Sequence, residues 1–88
     1  SQYTSCNHVI GKAVDIHLER WEKNDDDKIL LRNIMCSAGW ANLGIEHWHY
    51  EYKTPSYTRA KNANSCHFGT LVGPAATVAP NYEQSLVS

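Results

Sequence analysis

Two short segments of this chain alternate with period two, and a segment of helical period lies between them. Residues 12–18 put Val14, Ile16 and Leu18 on one face and Ala13, Asp15 and His17 on the other. Residues 46–52 put His47, His49 and Glu51 on one face and Trp48, Tyr50 and Tyr52 on the other. Alternation of this kind marks half-buried strands. Between them Leu30, Leu31, Ile34, Met35 and Ala38 recur at helical spacing. The spacing predicts a helix over residues 26–38, with Asn24 or Asp25 as N-cap and the neighbouring carboxylates on the positive end of the helix dipole. Gly39 is the expected C-terminal cap, and Met35 and Cys36 are expected core residues. The pattern predicts an α+β fold: a small antiparallel sheet that carries a site on one face and packs one main helix on the other.

A chain of 88 residues is one small domain or a piece of one. It is read as a single unit, with a motif-bearing core over residues 5–53 and an irregular tail over residues 54–88. Because it begins at Ser1 and not at Met, processing or a fragment is expected, such as the C-terminal part of a larger or two-chain domain with an N-terminal segment missing. Hydrophobic content of 42% against 19% charged residues places it among globular chains and not disordered ones. A net charge of −1 offers no attraction for nucleic acid or an anionic membrane. No apolar run approaches the roughly 20 residues that span a bilayer.

The remaining segments give weaker signals. Asn24-Asp25-Asp26-Asp27 lacks the spacing and the distal Glu of a calcium loop. Residues 40–44 read as a connector, and Pro55, which has no ladder donor, as the end of the second strand. Val72-Gly73-Pro74 and Ala79-Pro80-Asn81 read as turns, residues 75–79 as a short strand, and residues 82–87 as a last helical turn or strand. Cys6, Cys36 and Cys66 are odd in number, so one disulfide with a free thiol and three free thiols both remain open.

Two clusters carry chemistry. The stretch Gly44-Ile45-Glu46-His47-Trp48-His49-Tyr50-Glu51-Tyr52 crowds two imidazoles and two carboxylates beside large aromatics, an arrangement with little use in a core. The stretch from His8 to Asp15 sets an imidazole and a carboxylate seven residues apart, with Gly11 between them to let the backbone turn. His8, Asp15 and His49 would give a zinc ion nitrogen, oxygen and nitrogen ligands and leave a fourth position for water, as catalytic sites do. A nearby carboxylate can then handle the proton of that water, whose pKa zinc lowers to about 7.

The motif His8-x-x-Gly11-x-Ala13-x-Asp15, followed by Glu46-x-Trp48-His49, resembles the D-alanyl-D-alanine carboxypeptidase and dipeptidase family of zinc peptidases. That family is grouped with lysostaphin-type enzymes and the hedgehog signalling domain. The helical segment ending in Ala38-Gly39-Trp40 and leading into Glu46-His47-Trp48-His49-Tyr50 is most similar to the dipeptidase branch. The resemblance spans about residues 5–53. It implies one zinc ion on His8, Asp15 and His49, with Glu46 as general base and Trp48 packed beneath the site. It also implies cleavage of peptide bonds next to D-amino acids in bacterial peptidoglycan or its precursors, and so an extracellular or periplasmic protein. A zinc-containing binding module without catalysis is the alternative that the hedgehog precedent implies.

Several positions depart from the family pattern. His47 stands where the dipeptidases carry Trp, and makes a His-x-His pair. Glu46 is preferred as base and His47 as a catalytic donor or outer group; on a regular strand the two would face opposite ways, so Glu46 needs a bend at Gly44. Cys6 replaces a small hydroxyl residue, and the linker from Ile16 to Asp25 is short. The arginine that polarises the substrate carbonyl in the family lies upstream of the first motif. Here Arg20, Arg32, Arg59 or a missing N-terminal part would take that role. His17 and His67 match no motif, Trp21 and Trp40 are expected to pack, and Glu51 either orients His49 or pairs with a lysine.

Overall fold

The computed structural model of the protein describes residues 11–17 and 24–83. In chain order the elements are β1 (Ala13–Asp15), α1 (Asp25–Ser37), β2 (Ala41–Leu43), β3 (His49–Glu51), α2 (Pro55–Asn62) and β4 (His67–Phe68). The four strands form one sheet in the order β1-β3-β2-β4. β3 pairs antiparallel with both β1 and β2, while β4 runs parallel to β2. The α+β class and the main helix on the sheet are as expected, and the parallel edge strand makes the sheet mixed.

α1 starts and stops where its sequence says. Asn24, in extended conformation, accepts the Asp27 N–H at 2.9 Å, and Asp25, Asp26 and Asp27 fill the first turn. At the other end Gly39 takes φ +85. Its N–H bonds the Cys36 carbonyl at 3.1 Å, and the Trp40 N–H bonds that of Met35 at 3.0 Å. This is the double bond of a Schellman end, and it needs a residue that tolerates positive φ. The buried side of the helix differs from the expected stripe. Leu30 and Ile34 are 53% and 56% exposed, while Leu31, Arg32 and Cys36 are buried.

Three further elements correct the sequence reading. Residues 40–44 contain β2, whose Ala41 and Asn42 are buried. Residues 54–88 are not an irregular tail throughout, for α2 and β4 fall inside them. Thr54 caps α2 by accepting the Tyr57 N–H, and Pro55 occupies the first turn, where its missing N–H costs nothing. Pro55 therefore begins a helix as well as ending the chain's run along the sheet. α2 closes on Asn64 at φ +52, with the Ser65 N–H bonding the Ala60 carbonyl at 2.9 Å. No strand forms over residues 75–79.

The two helices lie on opposite faces of the sheet. Asn42 points to α1, where it meets Arg32. Its neighbour Ala41 joins Tyr57 and Ala60 of α2 in a core cluster with Tyr82. Because strand side chains alternate and Ala41 pairs with Glu51, His49 and Glu51 share the α2 face, and Tyr50 shares the α1 face. Trp40, Tyr52, Tyr57 and Tyr82 form a ladder of rings with successive centroids 5.3 Å apart, each contact worth on the order of 1 kcal/mol beyond its buried area. A disulfide joins Cys36 at the end of α1 to Cys66 beside β4, with Cα atoms 5.4 Å apart. The segment after β4 then crosses back over α1: Thr77 and Asn33 exchange two hydrogen bonds, and the Asn81 N–H bonds the Cys36 carbonyl. Among the described residues no helix is long and apolar enough to cross a membrane.

Candidate metal centre

The site forms where β1 lies against β3. Their register sets Asp15 directly opposite His49, and directly opposed residues on one face of a sheet are near enough for side-chain contact. Asp15 Oδ1 lies 2.8 Å from His49 Nδ1. On the other side of the ring, His49 Nε2 lies 2.8 Å from Glu51 Oε2. His49 is 1% exposed and Glu51 is 0% exposed, whereas the Asp15 side chain is 43% exposed. The imidazole thus sits at the bottom of the site and the Asp15 carboxylate at its mouth.

This arrangement sets up a chemical demand. A neutral imidazole has one N–H and one lone pair. Each ring nitrogen of His49 faces a carboxylate oxygen at 2.8 Å, so a neutral ring leaves one nitrogen with its lone pair turned on a carboxylate. Two electron-pair donors at hydrogen-bonding distance call for a positive species between them, either a proton or a metal ion. Imidazole nitrogen and carboxylate oxygen are both good zinc ligands. The pair therefore fits two corners of the expected three-residue set. His8, the third ligand, lies outside the described residues, as does Cys6. Among the described residues no three His, Cys, Asp or Glu side chains converge on one point.

The backbone around the second motif bends as the Glu46 reading requires. β3 begins only at His49, and residues 44–48 form turns. The Glu46 N–H bonds the Leu43 carbonyl at 2.9 Å, and the Glu46 carbonyl accepts the His49 N–H at 3.1 Å. Asn42 Nδ2 donates to the carbonyls of both Glu46 and His49 at 3.0 Å. Glu46 is thereby fixed by its main chain one turn before the ligand, with its side chain partly exposed.

His47 lies in the turn before β3, so the alternation of the strand does not set its direction as it does that of His49. Its ring packs edge-on against Trp48 at 4.8 Å. Burial, with the cations of Lys28 and Arg32 and then His17, lowers its imidazole to about 4. Lys28 and Arg32 are residues of α1, so part of the field at His47 comes from that helix. Trp48 also stacks on His17 at 5.9 Å, and its carbonyl accepts the Ile16 N–H at 2.9 Å. It thus packs beside the end of β1.

Of the arginines considered for a substrate role, Arg20 lies outside the described residues. Arg32 is buried and committed to structure. Its Nε bonds Asn42 Oδ1 at 2.8 Å, Nη1 bonds the carbonyls of Val72 and Pro74 at 3.0 and 2.6 Å, and Nη2 bonds that of Gly44 at 2.9 Å. Arg59 donates to Ser56 Oγ in its own helix. His67 lies on β4, at the opposite edge of the sheet from β1, and burial followed by Arg32 lowers its pKa.

Sequence reasoning left Glu51 open between two roles, and the structure assigns it to His49. It missed Asn42 and Thr54. The signal for Thr54 was the Thr54-Pro55 pair, an N-cap followed by a helix-starting proline. Nothing in the sequence marked Asn42. No protein-family model, curated protein or solved structure matches the chain, so the class of the site rests on its own chemistry.

Proposed function

We propose that the protein is a zinc peptidase, similar to the D-alanyl-D-alanine carboxypeptidases and dipeptidases, that hydrolyses peptide bonds next to D-amino acids in peptidoglycan or its precursor peptides. The observation that carries this reading is the 2.8 Å approach of Asp15 Oδ1 to His49 Nδ1, at the two positions where the paired motifs put ligands. His8, Asp15 and His49 are the ligand set of the proposal. A zinc ion held there would supply Lewis acidity to the scissile carbonyl and to the attacking water. Glu46 takes the proton of that water as the new C–O bond forms, and returns it to the amine as the C–N bond breaks. His47, expected as a second catalytic group, lies in the turn before β3 with its ring edge-on to Trp48 and is given no step here.

The Cys36–Cys66 disulfide supports an extracellular or periplasmic location, where such bonds persist. Cell-wall peptides are the expected substrate, with no membrane span and no nucleic acid partner.

The test is hydrolysis of a peptide ending in D-alanyl-D-alanine and of peptidoglycan fragments, with the cleaved bonds mapped by mass spectrometry. Cleavage should stop on chelation and return with zinc. Glu46→Ala should abolish it while leaving zinc content at about one ion per chain. Full activity in Glu46→Ala removes Glu46 as base, and indifference to chelation removes the metal. Zinc retained without any cleavage would leave the binding-module reading.

A further inference from the structure

After β4 the chain runs back over α1, and residues 71–80 form neither helix nor strand. Most of them are exposed, Val72 and Val78 at 58% and 40% among the rest. A short series of hydrogen bonds holds the segment down. Arg32 Nη1 donates to the carbonyls of Val72 and Pro74. Asn33 Oδ1 accepts the Thr77 N–H at 2.7 Å, and Asn33 Nδ2 donates to the Thr77 hydroxyl at 2.9 Å. The Asn81 N–H bonds the Cys36 carbonyl at 3.2 Å, and the Tyr82 hydroxyl donates to the Ser65 carbonyl. Among the described residues, hydrogen bonds reach residues 75–80 only from Asn33.

The bonds from Asn81 and Tyr82 fall on the two arms of the Cys36–Cys66 disulfide, one on a half-cystine and one on the neighbour of the other. Just before them, the Val78 carbonyl oxygen lies 3.6 Å from Cys66 Sγ. A disulfide sulfur has no proton to donate, so this contact is one of position. Cys36 is 2% exposed and Cys66 is half-buried, so Cys66 is the half-cystine that solvent reaches. Thiol–disulfide exchange requires a thiolate to close on one sulfur. Here a carbonyl oxygen, with its partial negative charge, stands beside that sulfur. Cys36 also lies in the last turn of α1, where the helix dipole disfavours the thiolate it becomes on leaving.

We propose that residues 72–82 are a guard strap over the Cys36–Cys66 disulfide, and that local lifting of this strap, without unfolding of the domain, admits a thiol to the bond. Exposed segments with few buried apolar contacts open at a cost well below that of global unfolding. Freeing the middle of the strap breaks the two bonds to Asn33 and leaves the sheet and both helices in place. A dithiol reductant then completes the exchange. Its thiolate bonds to Cys66 Sγ as the S–S bond breaks, and the electron pair leaves on Cys36 Sγ, which takes a proton. The second thiol of the reagent, losing its own proton, displaces Cys66 Sγ and closes the oxidised reagent as a ring. Two protein thiols result. The proposal is independent of the metal-site reading.

The experiment uses the full oxidised chain with any free thiol alkylated beforehand. Loss of the disulfide in excess dithiothreitol is followed by alkylation and mass spectrometry, at a series of low urea concentrations, beside the urea unfolding curve. In the wild type the logarithm of the reduction rate should rise with urea on a much shallower slope than global unfolding, because lifting the strap exposes little surface. Asn33→Ala removes both bonds to Thr77, while alanine favours the helix it sits in. Its reduction should be about 5- to 20-fold faster, as one to two net hydrogen bonds imply. Thr77→Val, which loses the hydroxyl bond alone, should fall between. Asn33→Asp, which still accepts from the Thr77 N–H and hydroxyl, should return most of the wild-type rate. Equal rates in Asn33→Ala and wild type overturn the proposal. A reduction slope equal to that of global unfolding also overturns it, and since it is read on the wild type it decides even where a variant fails to fold.

Discussion

Arg32 on α1 and Asn42 on β2 are joined by a 2.8 Å hydrogen bond from Nε to Oδ1. Each then spends its remaining donors on main-chain carbonyls. Asn42 holds the turn that carries Glu46 and His49. Arg32 holds Gly44 and the returning segment at Val72 and Pro74. A buried side-chain pair thus links the helix, the candidate site and the C-terminal wrap. Burial lowers the Arg32 pKa, yet a guanidinium remains charged at any ordinary pH.

Replacing Arg32 should be costly even when charge is kept. Arg32→Lys retains a cation but cannot present a planar fork to four acceptors. The carbonyls left buried and unpaired cost about 1–3 kcal/mol each at the upper end of what such groups show. We expect Arg32→Lys to lose roughly 2–4 kcal/mol of unfolding free energy in urea. An unchanged midpoint would show that the cage around the guanidinium does not hold the fold.

Gly44 should tolerate no side chain. A Cβ there would lie 2.5 Å from the Thr70 carbonyl oxygen and 2.9 Å from its carbon. The obstacle is backbone that the Val72–Gly44 hydrogen bond holds in place at 2.9 Å. Gly44→Ala is expected to cost on the order of 2–3 kcal/mol, as forced overpacking does, and to weaken zinc binding through the turn that follows. A variant as stable as wild type in thermal unfolding would contradict this.

The Cys36–Cys66 disulfide closes a loop of sequence separation 30, which contains β2, β3 and α2. Loop closure of that length contributes roughly 3–4 kcal/mol by its effect on the unfolded chain. A Cys36→Ser/Cys66→Ser double variant should lose about that much in urea unfolding. Stability equal to wild type would mean that packing alone holds α1 to β4.

Alkaline pH should weaken the fold. Burial, then Tyr57, raises the Tyr82 phenol to about 12, where it donates to the Ser65 carbonyl. Since the folded pKa lies above the unfolded value of about 10, the contribution is fully present below about pH 10 and is lost as pH rises towards 12. It amounts to about 3 kcal/mol. Burial raises Tyr50 as well, so the two act in the same direction. Urea midpoints measured over this range should fall, and the fall should lessen in Tyr82→Phe. A flat profile would refute the argument.

How much of this was legible in the sequence differs from element to element. The ends of α1 were, because Asn24 and Gly39 act locally, through their own backbone neighbours. Its buried face was not. Arginine in a helix reads as solvent-facing, yet Arg32 takes a core position, and this turns Leu30 and Ile34 outward. β2 escaped notice because three residues show no period, and its order comes from partners on both sides. α2 had a signal in Thr54-Pro55, which was read as the end of a strand alone. Within the site, Asp15 and His49 were legible as a spaced pair. The tie from Glu51 to Thr54 was not, since a cap and a second carboxylate look unrelated until α2 is seen to begin under the sheet.

Among the described strands β1 lies at one edge of the sheet, and its pairing with β3 brings Asp15 to His49. An ion shared by those two side chains would act as a rivet through the rim of the sheet. Seating the strand and filling the site then become one equilibrium. If the strand is seated for only a fraction of the time, the apparent affinity for the ion falls by that same fraction. Substitutions on the outward side of β1, remote from any ligand atom, would thereby set how much metal the protein carries at a given supply.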